Sequence, residues 1–113
     1  MAFTERHIGG VTILDLNGQL TEVSGTEMWG RIRGLAAGGD TRVLLNLAAV
    51  SYVDSSGLGS MVASFVAMKR VGGMLKLLNP TKRTQQLLSV TALTTVMHSF
   101  DDEALAIESF GTM

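Results

Sequence analysis

Residues 42–78 read RVLLNLAAVSYVDSSGLGSMVASFVAMKRVGGMLKLL, and this stretch decides the fold. Arg42 to Leu47 is a short, nearly continuous apolar run, which suits a strand covered on both faces, as in a parallel sheet. A short connection with Tyr52 and Val53 leads to Asp54-Ser55-Ser56-Gly57. From there Leu58, Met61, Val62, Phe65, Val66 and Met68 or Lys69 follow the i, i+3, i+4, i+7 pattern of an amphipathic helix. Lys69 and Arg70 complement the negative end of its macrodipole, and Gly72-Gly73 ends it. Met74 to Leu78 is a second strand-like run. Leu44, Leu45, Leu47, Val62, Phe65 and Leu77 are the expected core of this unit.

Working outward, Val11 to Leu16 is rich in branched residues and lies between Gly9-Gly10 and Gly18, so it reads as a strand. Phe3 to Ile8 can pair with it through the Gly9-Gly10 turn, giving an N-terminal hairpin. From Ser24 to about Ala37, Met28, Trp29, Ile32, Leu35 and Ala36 recur at helical spacing. Ser24 is the expected N-cap, with Glu27 three residues on and Gly38-Gly39 as the stop. Gly30 and Gly34 would let this helix pack closely on a sheet. After Leu78, Asn79-Pro80 places an N-cap before a proline at the first helical position, predicting a helix to about Val90. Thr94 to Met97 is the expected last strand. Asp101, Asp102 and Glu103 load the first turn of a final helix with Leu105, Ala106 and Phe110 as its apolar side. Strands alternating with helices argue for one mixed sheet in an α/β domain spanning residues 1–113.

The composition excludes several functions. Nine Lys plus Arg stand against ten Asp plus Glu, for a formal net charge of -1, which is not the basic field of a nucleic-acid binder. No polybasic run is present to hold an anionic membrane, and the apolar stretches are broken well before membrane-spanning length. Mean hydropathy is +0.31, and hydrophobic residues make up 46% of the chain, enough for a core without metal or disulfide support. The chain has no cysteine, which excludes thiolate nucleophiles and Cys-based metal sites and fits a cytoplasmic location.

The catalytic inventory is short. His7 and His98 are the two histidines, and neither has metal-ligand spacing with another ligand. No Walker loop, dinucleotide-binding glycine pattern or nucleophile elbow occurs. Neither cofactor nor metal is expected. The stretch Asp54-Ser55-Ser56-Gly57-Leu58-Gly59 stands out. Asp, Ser and Gly are good residues for a helix N-terminus, and on local physics alone that structural role comes first. A serine hydroxyl exposed there would also accept a phosphate well, because the dipole and free N–H groups both favour added negative charge. The two roles are compatible.

The run Val53 to Gly59 resembles the signature of STAS-domain anti-sigma factor antagonists, regulators of sporulation and general stress in Gram-positive bacteria. Gly18-Gln19-Leu20 resembles the family's Gly-x-Leu after the second strand. Gly72-Gly73 before Met74–Leu78 matches its helix-to-strand passage, and Asn79-Pro80, Leu87-Leu88 and Thr91-Ala92-Leu93 resemble its penultimate helix and exit. Two positions depart: Thr21 stands where an acidic residue is common, with Glu22 one place later, and Ala92 where glycine is frequent.

The resemblance implies a STAS-type mixed sheet with an N-terminal hairpin, flanked by about four helices. It implies that the unphosphorylated protein binds an anti-sigma factor with serine kinase activity and so frees a sigma factor. That kinase would phosphorylate the serine before the glycine, Ser56 (Ser55 being the alternative), and a PP2C-type phosphatase would reverse the reaction. The partner-binding residues implied are Leu20, Thr21, Glu22, Asp54, Ser55, Gly57, Leu58 and Met61. The chain would then be substrate and switch, not an enzyme. The competing class is a STAS interaction module of another system, such as an accessory subunit of a lipid transporter.

Overall fold

The structure is a computed structural model and describes residues 2–111. Five strands, β1 (Ala2–Ile8), β2 (Val11–Leu20), β3 (Arg42–Val53), β4 (Met74–Leu78) and β5 (Ser99–Phe100), lie side by side in sequence order. β1 and β2 form the antiparallel hairpin turned by Gly9 and Gly10, both at positive φ, where glycine carries no Cβ penalty. β2 to β5 are mutually parallel. Each parallel step needs a crossover, and right-handed crossovers between successive neighbours put the helices on one face. Those helices are α1 (Glu22–Ala37), α2 (Ser55–Arg70) and α3 (Lys82–Val90); α4 (Glu103–Glu108) closes the chain.

Period-two alternation along the strands divides the core between the two faces of the sheet. Leu14, Leu45 and Leu77 pack with Met28, Ile32, Leu35, Met61, Met68 and Leu88 of the three crossover helices. Ile13, Leu44 and Leu78, one residue on or back, pack instead with Ala106 and Phe110 at the α4 end. Leu44, Leu45, Leu47 and Leu77 are buried as expected, whereas Val62 and Phe65 are half-buried, and Ser64 takes the inward place between Met61 and Met68. Ser64 fits there because its hydroxyl donates to the Ser60 carbonyl at 2.7 Å.

Charged pairs fasten the edges. Arg6 on β1 donates to Asp15 on β2 at 2.6 Å and also pairs with Glu103 of α4. Its hydrogen bonds hold the Asp15 carboxyl below the usual carboxylate range. Arg31 pairs with Glu5 at 2.6 Å and likewise lowers its pKa, tying α1 to β1. Lys76 Nζ donates to both Oγ and the carbonyl of Ser109 at 2.9 Å, beneath the Phe110 ring, and burial pushes its pKa down.

Several boundaries differ from expectation for physical reasons. β3 runs six residues past Leu47 because β2 is long enough to pair with it as far as Leu20↔Val53, through two register shifts. α1 begins after Thr21, and Ser24 lies buried at its third position, accepting from the Thr21 N–H and donating to the Gln19 carbonyl. Asn79 does not cap α3; it takes φ +50°, a left-handed turn that Asn tolerates, and Thr81 caps instead. Residues Leu93–Thr95 form a 3-10 turn after the left-handed Ala92, and the last strand is Ser99–Phe100, beyond the expected Thr94–Met97. Gly30 and Gly34 do not face the sheet: both are exposed, and an added Cβ would meet open space at Gly30 and only the end of Arg31 at Gly34. Gly25 is the close-packing glycine of α1, with a Cβ there 2.6 Å from Ser60 Oγ.

Candidate functional site

β2 and β3 end side by side, at Leu20 and Val53, and α1 and α2 start immediately after them. The carboxyl ends of parallel strands are where α/β folds present their sites, because consecutive connections converge there. The convergence here rests on one glycine. Gly57 lies against the Leu20 backbone so closely that a Cβ would stand 2.6 Å from the carbonyl carbon and nearer still to its oxygen. The Leu20 carbonyl also accepts the Asp54 N–H at 3.2 Å. The first turn of α2 is thereby held against the end of β2.

Asp54 is the cap. Its Oδ1 accepts the Gly57 N–H at 2.7 Å, and its carbonyl accepts that of Leu58 at 2.9 Å. With capping done by Asp54, neither serine hydroxyl is needed for it. Ser55 and Ser56 are both exposed, and among the described residues no acceptor meets their N–H groups. A helix start with unpaired N–H groups, positive dipole end and free hydroxyls is a place where a phosphate is accommodated without refolding. Helix geometry separates the two serines. Gly57, Met61, Ser64 and Met68 mark the buried face, and Ser55 lies almost opposite it. Ser56 shares its stripe with Ser60, the residue that faces Gly25 of α1, so Ser56 is turned toward the α1 side.

The expected partner-binding residues divide into two groups. Thr21, Glu22, Asp54, Ser55 and Leu58 are exposed or half-buried at this end. Leu20, Gly57 and Met61 are buried, with Leu20 and Met61 in the core, so their side chains shape the face without presenting themselves on it. Met68 is equally internal. Three residues were not anticipated: Val23, 71% exposed in the first turn of α1, Tyr52, and Arg83 of α3, whose guanidinium stands 5.5 Å from the Tyr52 ring. A strand continuing past Leu47 would have been the signal for Tyr52; Arg83 is brought in only by the tertiary fold. His7 and His98 are exposed and remote from this end of the sheet, on β1 and before β5. Among the described residues no group of three His, Cys, Asp or Glu is arranged to hold a metal ion, and no helix is long and apolar enough to cross a membrane.

A family model described as the STAS domain matches residues 2–106. The anti-sigma-B factor antagonist of Bacillus subtilis is 45% identical over 56 residues, a segment that spans half of either protein. A protein of Thermotoga maritima has the same fold with a TM-score of 0.89 at 24% identity, covering 96% of this chain and 93% of its own. The phosphorylated form of the Bacillus cell-fate determinant SpoIIAA superposes with a TM-score of 0.76 at 24% identity, over 96% of this chain and 98% of its own. These two structural likenesses concern fold.

Proposed function

The chain belongs to the STAS-domain family, and on that premise we propose that it is an anti-sigma factor antagonist switched by phosphorylation of Ser56. The observation that carries this reading is the capping of α2 by Asp54. Capping leaves two exposed hydroxyls beside unpaired helix-start N–H groups, on a face set by the end of β2. The curated relative with 45% identity over half the chain, named an anti-sigma-B factor antagonist, supports the partner class.

In this reading the unphosphorylated face, made of Thr21, Glu22, Val23, Tyr52, Asp54, Ser55, Ser56 and Leu58, docks on an anti-sigma factor in the cytoplasm. That partner is also a serine kinase. It transfers the γ-phosphoryl group of ATP to Ser56 Oγ, with loss of the hydroxyl proton and release of ADP; a PP2C-type phosphatase hydrolyses the ester. The phosphate adds about −1.5 to −2 charges. The start of α2 tolerates that charge within the fold. An interface that already contains the carboxylates of Glu22 and Asp54 does not, so binding is lost through like-charge crowding and bulk. The chain is the substrate of both reactions and contributes no catalytic group.

Calorimetric titration of the cognate anti-sigma factor with Ser56→Ala and Ser56→Asp tests the reading. Ser56→Ala should bind like the native protein and Ser56→Asp at least about tenfold more weakly, a loss of about 1.4 kcal/mol. Equal affinity of the two variants would rule out the switch, and recovery of lipid-transporter subunits instead of an anti-sigma factor would assign the chain to the competing class.

A further inference from the structure

A second feature lies along the outer seam between α1 and α2, at their C-terminal ends. Trp29, Arg33, Ala36 and Ala37 of α1 face Ala63, Val66, Ala67 and Arg70 of α2 across an open groove of about 570 Å³. Its lining is largely alanine, with Trp29 and the exposed Val66 and Val71 as the larger apolar side chains. Each long side is edged by one guanidinium. Arg33 stacks on the Trp29 ring at 4.8 Å. Among the described residues neither Arg33 nor Arg70 has a carboxylate within ion-pair distance, whereas the nearby Arg31 is engaged by Glu5. α2 carries no acidic residue at all, and those of α1, Glu22 and Glu27, precede the groove.

A second observation points the same way. Gly30 lies seven residues before Ala37, hence on the same line of α1, and it is exposed with open space where a Cβ would be. A glycine here weakens the helix and packs against nothing in the chain itself. With no Cβ, that position leaves room for another backbone to come close. A trough lined by small side chains, with the exposed Gly30 on the line of Ala37 beside it, has the shape that receives a third helix. The two arginines that line it, neither with a carboxylate partner among the described residues, favour a helix that carries acidic side chains.

We propose that this groove docks an amphipathic helix of a partner protein, with an apolar stripe of small or aliphatic residues flanked by Asp or Glu. The site is separate from the serine face: Arg70 lies fourteen residues beyond Ser56 on α2, about 21 Å along its axis. That exceeds the Debye length of about 8 Å at physiological ionic strength, so occupancy of the groove is indifferent to phosphorylation.

The chain's single tryptophan, Trp29, reports on the groove. The experiment titrates the full chain with a stapled three-turn peptide of Leu, Ala and Glu and with its Lys-for-Glu analogue. It follows Trp29 emission and maps amide shifts by NMR. The expected result is saturable binding of the acidic peptide, at least about tenfold tighter than the basic one. Shifts should centre on Trp29, Arg33, Ala63 and Ala67. The double variant Arg33→Glu/Arg70→Glu, both exposed positions checked by thermal melting, should lose binding, and Ser56→Asp should keep it within about twofold. No saturable response at millimolar peptide, preference for the basic peptide, shifts mapping to the serine face or loss in Ser56→Asp would each overturn the proposal. So would self-association through the groove, or binding to anionic vesicles that the double variant abolishes in place of peptide binding.

Discussion

Replacing Gly57 by alanine is the sharpest structural perturbation of the serine face. The new Cβ would stand 2.6 Å from the Leu20 carbonyl carbon and 3.1 Å from Leu20 Cγ. Carbon atoms rest at about 3.5–4.0 Å, so α2 and the end of β2 must part by about 1 Å. The obstacle is backbone, fixed by its own hydrogen bond from Asp54, and cannot rotate away as a side chain would. Overpacking typically costs about 1–3 kcal/mol, and a backbone obstacle belongs at the upper end. At about 4 °C per kcal/mol for a chain of this size, the melting temperature should fall by roughly 10–15 °C. Gly59, two residues on, is the internal control, since a Cβ there meets nothing. Gly59→Ala should raise stability by about 0.5–1 kcal/mol through helix propensity alone. Thermal and urea melts of both variants give the comparison. A Gly57→Ala protein melting within about 2 °C of the native one would refute the claim that this glycine seats the switch.

Other outcomes follow from the same geometry. Asp54→Ala should lower stability by about 0.5–2 kcal/mol in denaturant melts, because the Gly57 N–H loses its acceptor. Ser56→Ala should stay within about 0.5 kcal/mol of the native protein, since the hydroxyl is not the cap. Asp15 has a depressed folded-state pKa, so its contribution is complete above the ordinary carboxylate value and fades as pH falls through the folded value. Asp15→Asn should therefore flatten the fall in melting temperature between about pH 5 and pH 2, with an effect of at most about 1 kcal/mol because the ion pair is partly solvated.

How much of this was legible in the sequence depended on whether the signal was local. The hairpin, the strand at Val11, the α2 helix and the Met74–Leu78 strand each carry their own period and punctuation, and the structure places them there, although the buried line of α2 runs through Met61, Ser64 and Met68 and leaves Val66 exposed. The second half of β3 was not legible, because Ala48-Ala49 looks like a connection and only pairing with β2 keeps it extended. Thr94 to Met97 has strand-forming residues but no neighbour to pair with; β4 pairs instead with Ser99 and Phe100. At the site, the role of Asp54-Ser55-Ser56-Gly57 as a helix start was legible from residue type. Which of the three polar residues caps was settled only by the structure, where Asp54 accepts the Gly57 N–H, and that Gly57 admits no side chain depends on the Leu20 backbone thirty-seven residues earlier. Met61 and Leu20 looked like contact residues in a one-dimensional motif and are core in three dimensions.

The central claim is that one hydroxyl at the start of α2 is the switch, and the most direct measurement is its modification. The native protein, incubated with its cognate anti-sigma factor kinase and ATP, would be digested with trypsin, and the peptide 43–69 fragmented by mass spectrometry. This peptide holds Ser51, Ser55, Ser56, Ser60 and Ser64 together. The account predicts a single phosphate, on Ser56, absent from the Ser56→Ala variant. A phosphate on Ser55 alone would move the switch one residue along the helix, and a peptide left unmodified by an active kinase would contradict it.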